Sequence, residues 1–376
     1  MSKIMLIGPV YPYKTGLSYY VGLLYRQLCK NNEVTLYSYS MQYPKIMYRK
    51  EQRDYADDAV KIDDVEYILN SANPFNWISV AGRIRREKPE LLILQWLHPY
   101  FAPCYWVLAK NLKKIPIMYI CHNALPHERF PLDRWLTRLA LSPAKYVVAH
   151  SNADADILKE MLPGTKIKVN PHPAYNFFKI KDISKEEGRT LLSLPQDAKV
   201  LLFFGLVREY KGLKHLLNAM PIIRQKYGDI KLLIAGDFGK EENKKYYFGM
   251  LKTLNIEDCV DVYEGHIPIP EVEKFFAACD MVVLPYESAT QSGVIQVAYS
   301  FNKTVLATNV GGLPDVVQNR KTGYIVESQN PPKIAEAVID FYENNRADEF
   351  EKYIKEEAFR FSWERMEETI KALMKE

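Results

Sequence analysis

The chain has 376 residues, 48% of them hydrophobic and 26% charged, the balance of a soluble globular protein with enough chain for two hydrophobic cores. Its 50 Lys+Arg and 46 Asp+Glu leave a formal +4, and nothing in that balance points to nucleic acid. The five cysteines (Cys29, Cys104, Cys121, Cys259, Cys279) form no C-x-x-C pair, which fits thiols in a reducing cytosol and argues against structural zinc.

The opening, MSKIMLIG, places one Lys before a short apolar run. A signal peptide needs a longer apolar region and a cleavage site, so a cytoplasmic protein is expected. From there apolar runs alternate with amphipathic ones, the pattern of parallel strands covered by helices. Strands are predicted at Lys3–Ile7, Glu33–Tyr37, Leu91–Leu94, Ile117–Cys121 and Lys145–Ala149, with helices such as Tyr19–Lys30 and Asp133–Leu141 between them. The stretch Leu91–Ala109 lacks Asp, Glu, Lys and Arg, yet Gln95, His98, Pro99 and Pro103 interrupt it, so it reads as strand, apolar loop and helix start rather than as a membrane span. Its aromatic residues Trp96, Tyr100, Phe101, Tyr105 and Trp106 suit a bilayer interface, a lipid-linked ligand or the core.

The periodicity breaks at Asn170–Pro173 and a polar stretch runs to Asp197. Strands then resume at Lys199–Phe204, Lys231–Ala235, Val260–Tyr263, Met281–Leu284 and Thr304–Ala307, and Pro332–Glu376 reads as charged helix with an aromatic face. The expected fold is α/β, two Rossmann-like doubly wound domains (residues 1–172 and 190–357) facing across a cleft that holds the ligand. Residues 1–172 carry 23 Lys+Arg against 15 Asp+Glu and the remainder 27 against 31, so the first domain either faces an anionic surface or is unevenly but ordinarily solvated.

Local signals follow the strands. Lys14-Thr15-Gly16 forms a tight loop after the first strand, where Gly16 lets a phosphate approach the backbone and Ser18 is placed to cap the next helix. The loop is not G-x-G-x-x-G and no acid closes the second strand, which argues against a nicotinamide site. His122 sits just past a strand's carboxyl end, where active-site residues of open sheets collect, although a lone His there also serves as a structural hydrogen-bonder. His127 and Glu128 follow without a cluster to make them metal ligands. Asp154-Ala155-Asp156 reads D-x-D at the first turn of a helix, where acids favour the dipole, so capping is the preferred reading over a metal site.

In the second half Gly205 ends a strand, Arg208 and Lys211 follow, and Gly212 opens a helix. Two cations at a helix N-terminus oppose its dipole unless an anion lies between them, which points to a diphosphate. The stretch Leu284–Asp315 adds a loop of small polar residues before another helix, then Gly311-Gly312, an arrangement that aims backbone N–H groups at one point.

Taken in order, the loop at Gly16, His122, Val147–Ser151 (VVAHS), Phe204–Gly212, Leu232–Asp237 (LLIAGD) and Leu284 to the GGLPD segment resemble the group 1 (family four) retaining glycosyltransferases of the GT-B fold, over nearly the whole chain. The resemblance implies a nucleoside-diphosphate-sugar donor on the second domain, its diphosphate held by Arg208, Lys211 and the backbone of Ser292, Gly293 and Val294. It also implies His122 near the reacting carbon as the catalytic group, and an acceptor (a glycan, lipid-linked sugar or small molecule) approaching from the first domain. No metal or other cofactor is expected, because cations and helix dipoles stabilise the leaving diphosphate. A final helix, about 358–376, would cross back onto the first domain. The basic first domain is expected to make peripheral contact with the inner face of the membrane.

The chain departs from the family at two points. The usual E-x7-E pair is missing, which leaves Glu287, Thr290, Gln291 and Gln296 as candidates for the sugar and ribose contacts. The usual Arg directly after the strand's Gly is Leu206 here, with Arg208 as its substitute. The rival expectation is a GT-B-shaped binding or scaffold subunit that lost turnover with its glutamates.

Overall fold

The computed structural model describes residues 1–13, 16–48, 51–55, 61–126 and 130–376. Contacts divide the chain into two units, Met1–Pro171 with Ser362–Glu376, and His172–Phe361.

Unit 1 is built on a parallel sheet of seven strands among the described residues: β1 (Lys3–Ile7), β2 (Glu33–Met41), β3 (Val65–Asn70), β4 (Leu91–Trp96), β5 (Ile117–Cys121), β6 (Tyr146–Ala149) and β7 (Lys166–Val169), in the order β3-β2-β1-β4-β5-β6-β7. All six residues of β4 are buried, as the continuous LLILQW run requires of a strand covered on both faces. Helices Pro74–Glu87, Ala102–Asn111 and Asp133–Leu141 lie side by side and share one core with Tyr37, Leu92, Leu94, Trp96 and Tyr119 of the sheet. Helix Trp363–Lys375 packs on helix Gly16–Cys29, where the buried Glu367 accepts from Gln27 Nε2 (2.7 Å) and Asn31 Nδ2 (3.1 Å).

Unit 2 carries six parallel strands among the described residues: β8 (Lys199–Phe204), β9 (Ile230–Gly236), β10 (Val260–Glu264), β11 (Met281–Leu284), β12 (Thr304–Thr308) and β13 (Gly323–Val326), in the order β10-β9-β8-β11-β12-β13. Both units are therefore the doubly wound, Rossmann-like sheets that the alternating pattern implies.

Strands β3, β7 and β13 were not anticipated, and each is an edge strand. An edge needs no continuous apolar run, and KIKV in β7 has no buried residue at all. The polar stretch before β8 contains helix Lys185–Leu191, opened by a capping box between Ser184 and Glu187. Its buried Arg189 donates to Asp280 Oδ1 at 3.1 Å. The tail is not one continuous helix but Pro331–Glu343, Ala347–Glu356, a 3₁₀ turn at Ala358–Phe361, and Trp363–Lys375. Ser18 lies inside helix Gly16–Cys29 and does not cap it. In the apolar loop Trp96, Phe101 and Tyr105 are fully buried, and Tyr105 donates to the Gln95 carbonyl at 3.1 Å. Their place is the core, one of the expectations for that loop, whereas Tyr100 and Trp106 are half-buried. Among the described residues no helix is long and apolar enough to cross a membrane.

Candidate functional site

In unit 2 the strand order reverses between β8 and β11, since β9 and β10 lie on one side of that pair and β12 and β13 on the other. At such a switch point the loops leaving the carboxyl ends diverge and open a crevice, the usual ligand position of an open α/β sheet. The loop Gly205–Arg208 leaves β8, and Pro285–Ser292 leaves β11 to enter helix Gly293–Ser300. Arg208, Glu287, Thr290, Gln291 and Ser292 thus fall on the two loops that flank the reversal, and Lys211, Gly293, Val294 and Gln296 on the turn and helix that follow them.

Close backbone contacts fix these loops. Gly212 has φ +64°, and a Cβ there would lie 2.0 Å from the Pro285 carbonyl oxygen. Gly311 has φ +50°, and its Cβ would lie 1.6 Å from the Ala289 carbonyl oxygen. Only glycine satisfies both the left-handed conformation and the approach. The Glu287 N–H donates to the Tyr210 carbonyl (2.7 Å) and the Gly312 N–H to the Thr290 carbonyl (3.0 Å), so the three loops after β8, β11 and β12 form one hydrogen-bonded rim.

Arg208 and Lys211 flank a 3₁₀ turn, Glu209–Lys211, that precedes helix Leu213–Lys226. Arg208 is exposed, and a Cβ on Gly239 in the loop after β9 would come within 3.1 Å of its Nη1. Lys211 Nζ lies over the Tyr286 ring at 5.5 Å, and a Cβ on Gly205 would come within 3.3 Å of it. Among the described residues neither cation has a carboxylate within ion-pair distance. Neighbouring Lys214, by contrast, meets Glu287 Oε1 at 2.9 Å.

Tyr286 organises the second loop. Its hydroxyl lies 3.3 Å from Ser292 Oγ, and its carbonyl accepts from Thr308 Oγ1 (2.6 Å) and Ser328 Oγ (3.0 Å). Ser292 occupies the N-cap of helix Gly293–Ser300 but makes no side-chain cap. The N–H groups of Gly293 and Val294, which open the helix, have no intrahelical partner. The amide oxygens of Gln291 and Gln296 are buried without a hydrogen-bond partner, Gln296 being 1% exposed. A buried amide oxygen without a hydrogen-bond partner is costly, so both are candidate acceptors.

Glu287 is already engaged, with His215 Nε2 at 2.8 Å and Lys214 at 2.9 Å. Burial alone would raise its carboxyl, but those two hydrogen bonds outweigh it and hold the pKa below the usual range. Sequence reading missed Tyr286, Lys214 and His215. Only the position of Tyr286 between a strand's last residue and a glycine-bearing loop offered a signal.

In unit 1, His122 is buried at the carboxyl end of β5, its Nε2 2.8 Å from Gln95 Oε1 on β4. Tyr20 meets its ring edge-on at 4.6 Å between centroids, and His150 lies 5.2 Å away. His150 is fully buried with Nδ1 2.8 Å from the Asn170 carbonyl, and burial pushes its pKa down to about 4. Asp154 is buried and accepts from the Ser151 hydroxyl (2.7 Å) and the Ala124 N–H (2.8 Å), whereas Asp156 is exposed beside Lys159. The two acids of D-x-D therefore hold separate places and do not form a metal pair. Gly16 begins helix Gly16–Cys29, and a Cβ there would meet nothing within 4 Å. Lys14, Thr15, His127 and Glu128 lie outside the described residues. Among the described residues no group of three or more His, Cys, Asp or Glu is placed to hold a metal ion.

Residues 14–174 match the model of Glycosyltransferase Family 4, and residues 184–361 that of Glycosyl transferases group 1. The chain belongs to the group 1 glycosyltransferases of the GT-B fold. It is 28% identical over 227 residues to a D-inositol 3-phosphate glycosyltransferase of Paenarthrobacter aurescens, a match that takes in 59% of this chain and only 52%, about half, of that relative's length. It is 25% identical to an uncharacterized glycosyltransferase of Methanocaldococcus jannaschii over 96% of this chain and 95% of that one. In fold it is similar to Anabaena HepE, solved with UDP (TM-score 0.75, 16% identity, 98% of this chain and 100% of that one) and with UDP-glucose (TM-score 0.73, 16% identity, 99% and 100%).

Proposed function

We propose that the chain transfers a sugar from a nucleoside-diphosphate-sugar donor, with retention of anomeric configuration, to a hydroxyl of a glycan, lipid-linked sugar or small molecule. The observation that carries the reading is the pair of unneutralised cations, Arg208 and Lys211, at the switch point of unit 2. Like charges beside a helix N-terminus are unfavourable without an anion, and a diphosphate supplies one. The first-turn N–H groups of Gly293 and Val294 add dipole and hydrogen-bond donors for the same phosphates. Together these groups stabilise charge on the departing nucleotide, the work a divalent metal performs elsewhere. Gln291 and Gln296 take the sugar and ribose hydroxyls in place of the missing glutamates, with Thr290 beside them, because each offers a buried unpaired acceptor oxygen. Glu287 keeps Lys214 and His215 in place at the edge of that pocket.

Unit 1 carries the acceptor side, and His122 is the proposed catalytic group. In a retaining transfer the departing phosphate oxygen takes the acceptor's proton on the face it leaves, while a neighbouring polar group supports the developing charge. The Gln95 contact at His122 Nε2 fixes one edge of the ring for that purpose.

The test is nucleotide release from a panel of nucleoside-diphosphate sugars, with and without a metal chelator, by the wild type and by the Arg208→Ala/Lys211→Ala double variant. Donor-dependent release that the double variant loses supports the reading; undiminished turnover in the variant sinks the site assignment. A second reading, a binding or scaffold subunit without turnover, is favoured by the missing glutamate pair. Calorimetry decides between them, because that subunit either ignores nucleoside diphosphates or binds them with no release of sugar.

A further inference from the structure

We infer that one face of unit 1, the outer side of helices Pro74–Glu87, Ala102–Asn111 and Asp133–Leu141, docks on the surface of an anionic lipid bilayer. The three helices lie side by side over one core. Each follows a strand of a parallel sheet, so each starts at the strands' carboxyl end and runs back toward the amino end.

Large apolar side chains stand in solvent at the starting end. Phe75 is 84% exposed and Trp135 58%, with Ile78 and Leu132 exposed beside them in sequence. The loop after β2 adds Ile46 (86% exposed) and Met47 at the same end, since Ser71, just ahead of helix Pro74–Glu87, donates from its N–H to the Met41 carbonyl at 3.1 Å. Tyr43 of that loop packs on Tyr100 at 5.3 Å, next to the start of helix Ala102–Asn111. Scattered exposed apolar residues are ordinary; six around one end of adjacent helices are not.

The opposite ends of the same helices are basic. Arg85 and Arg86 close the first helix, Lys110 the second with Lys113 and Lys114 just beyond it, and Arg138 the third. Among the described residues none of these six has a carboxylate within ion-pair distance, although Arg83 and Arg134 on the same helices pair with Glu66 and Glu160, and surface cations elsewhere in the chain commonly pair too. The acids of these helices are committed elsewhere. Glu87 bonds Tyr37 and Arg83, and Asp133 is buried. Lys110 lies 4.5 Å above the Trp106 ring, an aromatic–cation pair suited to a headgroup layer.

An apolar rim joined to an unpaired basic field matches acyl chains below anionic headgroups. A nucleic acid would engage the cations but would give Ile46, Phe75, Leu132 and Trp135 no apolar phase to enter. The assignment does not depend on the sugar-transfer reading, since its test reads lipid binding alone.

The test is co-sedimentation of the full chain with phosphatidylglycerol–phosphatidylcholine vesicles and with pure phosphatidylcholine, at low and high salt. Binding is expected to the anionic vesicles and to weaken with salt. Each basic residue near such a surface contributes about fivefold in partitioning, so Lys113→Glu/Lys114→Glu lowers it by at least about 25-fold. The Phe75→Ser/Trp135→Ser variant, checked by circular dichroism to melt like the wild type, loses binding at both salt concentrations. Failure to bind anionic vesicles overturns the inference. So does undiminished binding by both variants, or retention on an immobilised oligonucleotide without vesicle binding.

Discussion

Replacing Lys211 by Met separates a ligand-binding cation from a structural one. Met preserves most of the apolar stem and removes the charge. In the free protein, losing the contact over the Tyr286 ring costs about 0.5–1 kcal/mol, while removing a cation from a helix N-terminus returns about 0.3–1 kcal/mol, so stability should hardly change. With a nucleoside diphosphate bound, the lost interaction is a charge-assisted hydrogen bond of about 1.5–3 kcal/mol, or about 10- to 150-fold in Kd. The assay is thermal unfolding with and without UDP, backed by calorimetry. At a UDP concentration of about 100 times the wild-type Kd, bound nucleotide stabilises the wild type by about 2.7 kcal/mol; a variant weakened about 30-fold keeps about 0.9 kcal/mol at that concentration. The reasoning fails if Lys211→Met lowers the stability of the free protein by well over 1 kcal/mol and leaves nucleotide affinity untouched, because Lys211 would then be a structural cation.

Gly311→Ala must move the Ala289 carbonyl and hold Ala at φ +50°, which together should cost about 3 kcal/mol in urea denaturation of unit 2. Gln296→Leu removes a buried amide whose oxygen has no partner, so it should raise the melting temperature while weakening donor binding at least about tenfold; an unchanged donor affinity would remove Gln296 from the site. His150 has a pKa of about 4 in the fold against 6.5 free, so the unfolded chain binds the extra proton between those values and stability is lost as pH falls through that window. From pH 7.5 to pH 5 the loss is about 2 kcal/mol, and His150→Asn should flatten that limb of the stability–pH curve relative to wild type.

What the sequence shows about this fold depends on where a strand sits. Interior strands such as β4 and β11 must be apolar on both faces and read as continuous runs. The edge strands β3 and β7 carry polar residues such as Glu66, Lys166 and Lys168, and β13 opens on Gly323, a poor strand former. Arg208 and Lys211 stand out as candidates in the sequence because two cations before a helix N-terminus are electrostatically unfavourable without an anion. Tyr286 was not, since its role depends on a hydroxyl, a carbonyl and a ring face meeting three different segments. The aromatic loop stayed open between readings, because composition is the same for a bilayer anchor and for a core, and packing places Trp96, Phe101 and Tyr105 in the core. The exposed apolar residues of the proposed docking face are spread over 46–135 and form a pattern only when the helices stand side by side.

Helix Trp363–Lys375 belongs to unit 1, although the whole of unit 2 lies between it and Pro171. On a ribosome the segment Met1–Pro171 precedes the final helix, so Tyr20, Gln27 and Asn31 gain their contacts with Trp363 and Glu367 only after unit 2 has been made. Until then unit 1 lacks the helix whose buried face carries Met366, Ile370 and Leu373, and helix Gly16–Cys29 lacks that cover. Unit 2, continuous in sequence, can close on its own while the ribosome is still at work. The order of completion is thus the reverse of the order of synthesis: the unit begun first is the one finished last.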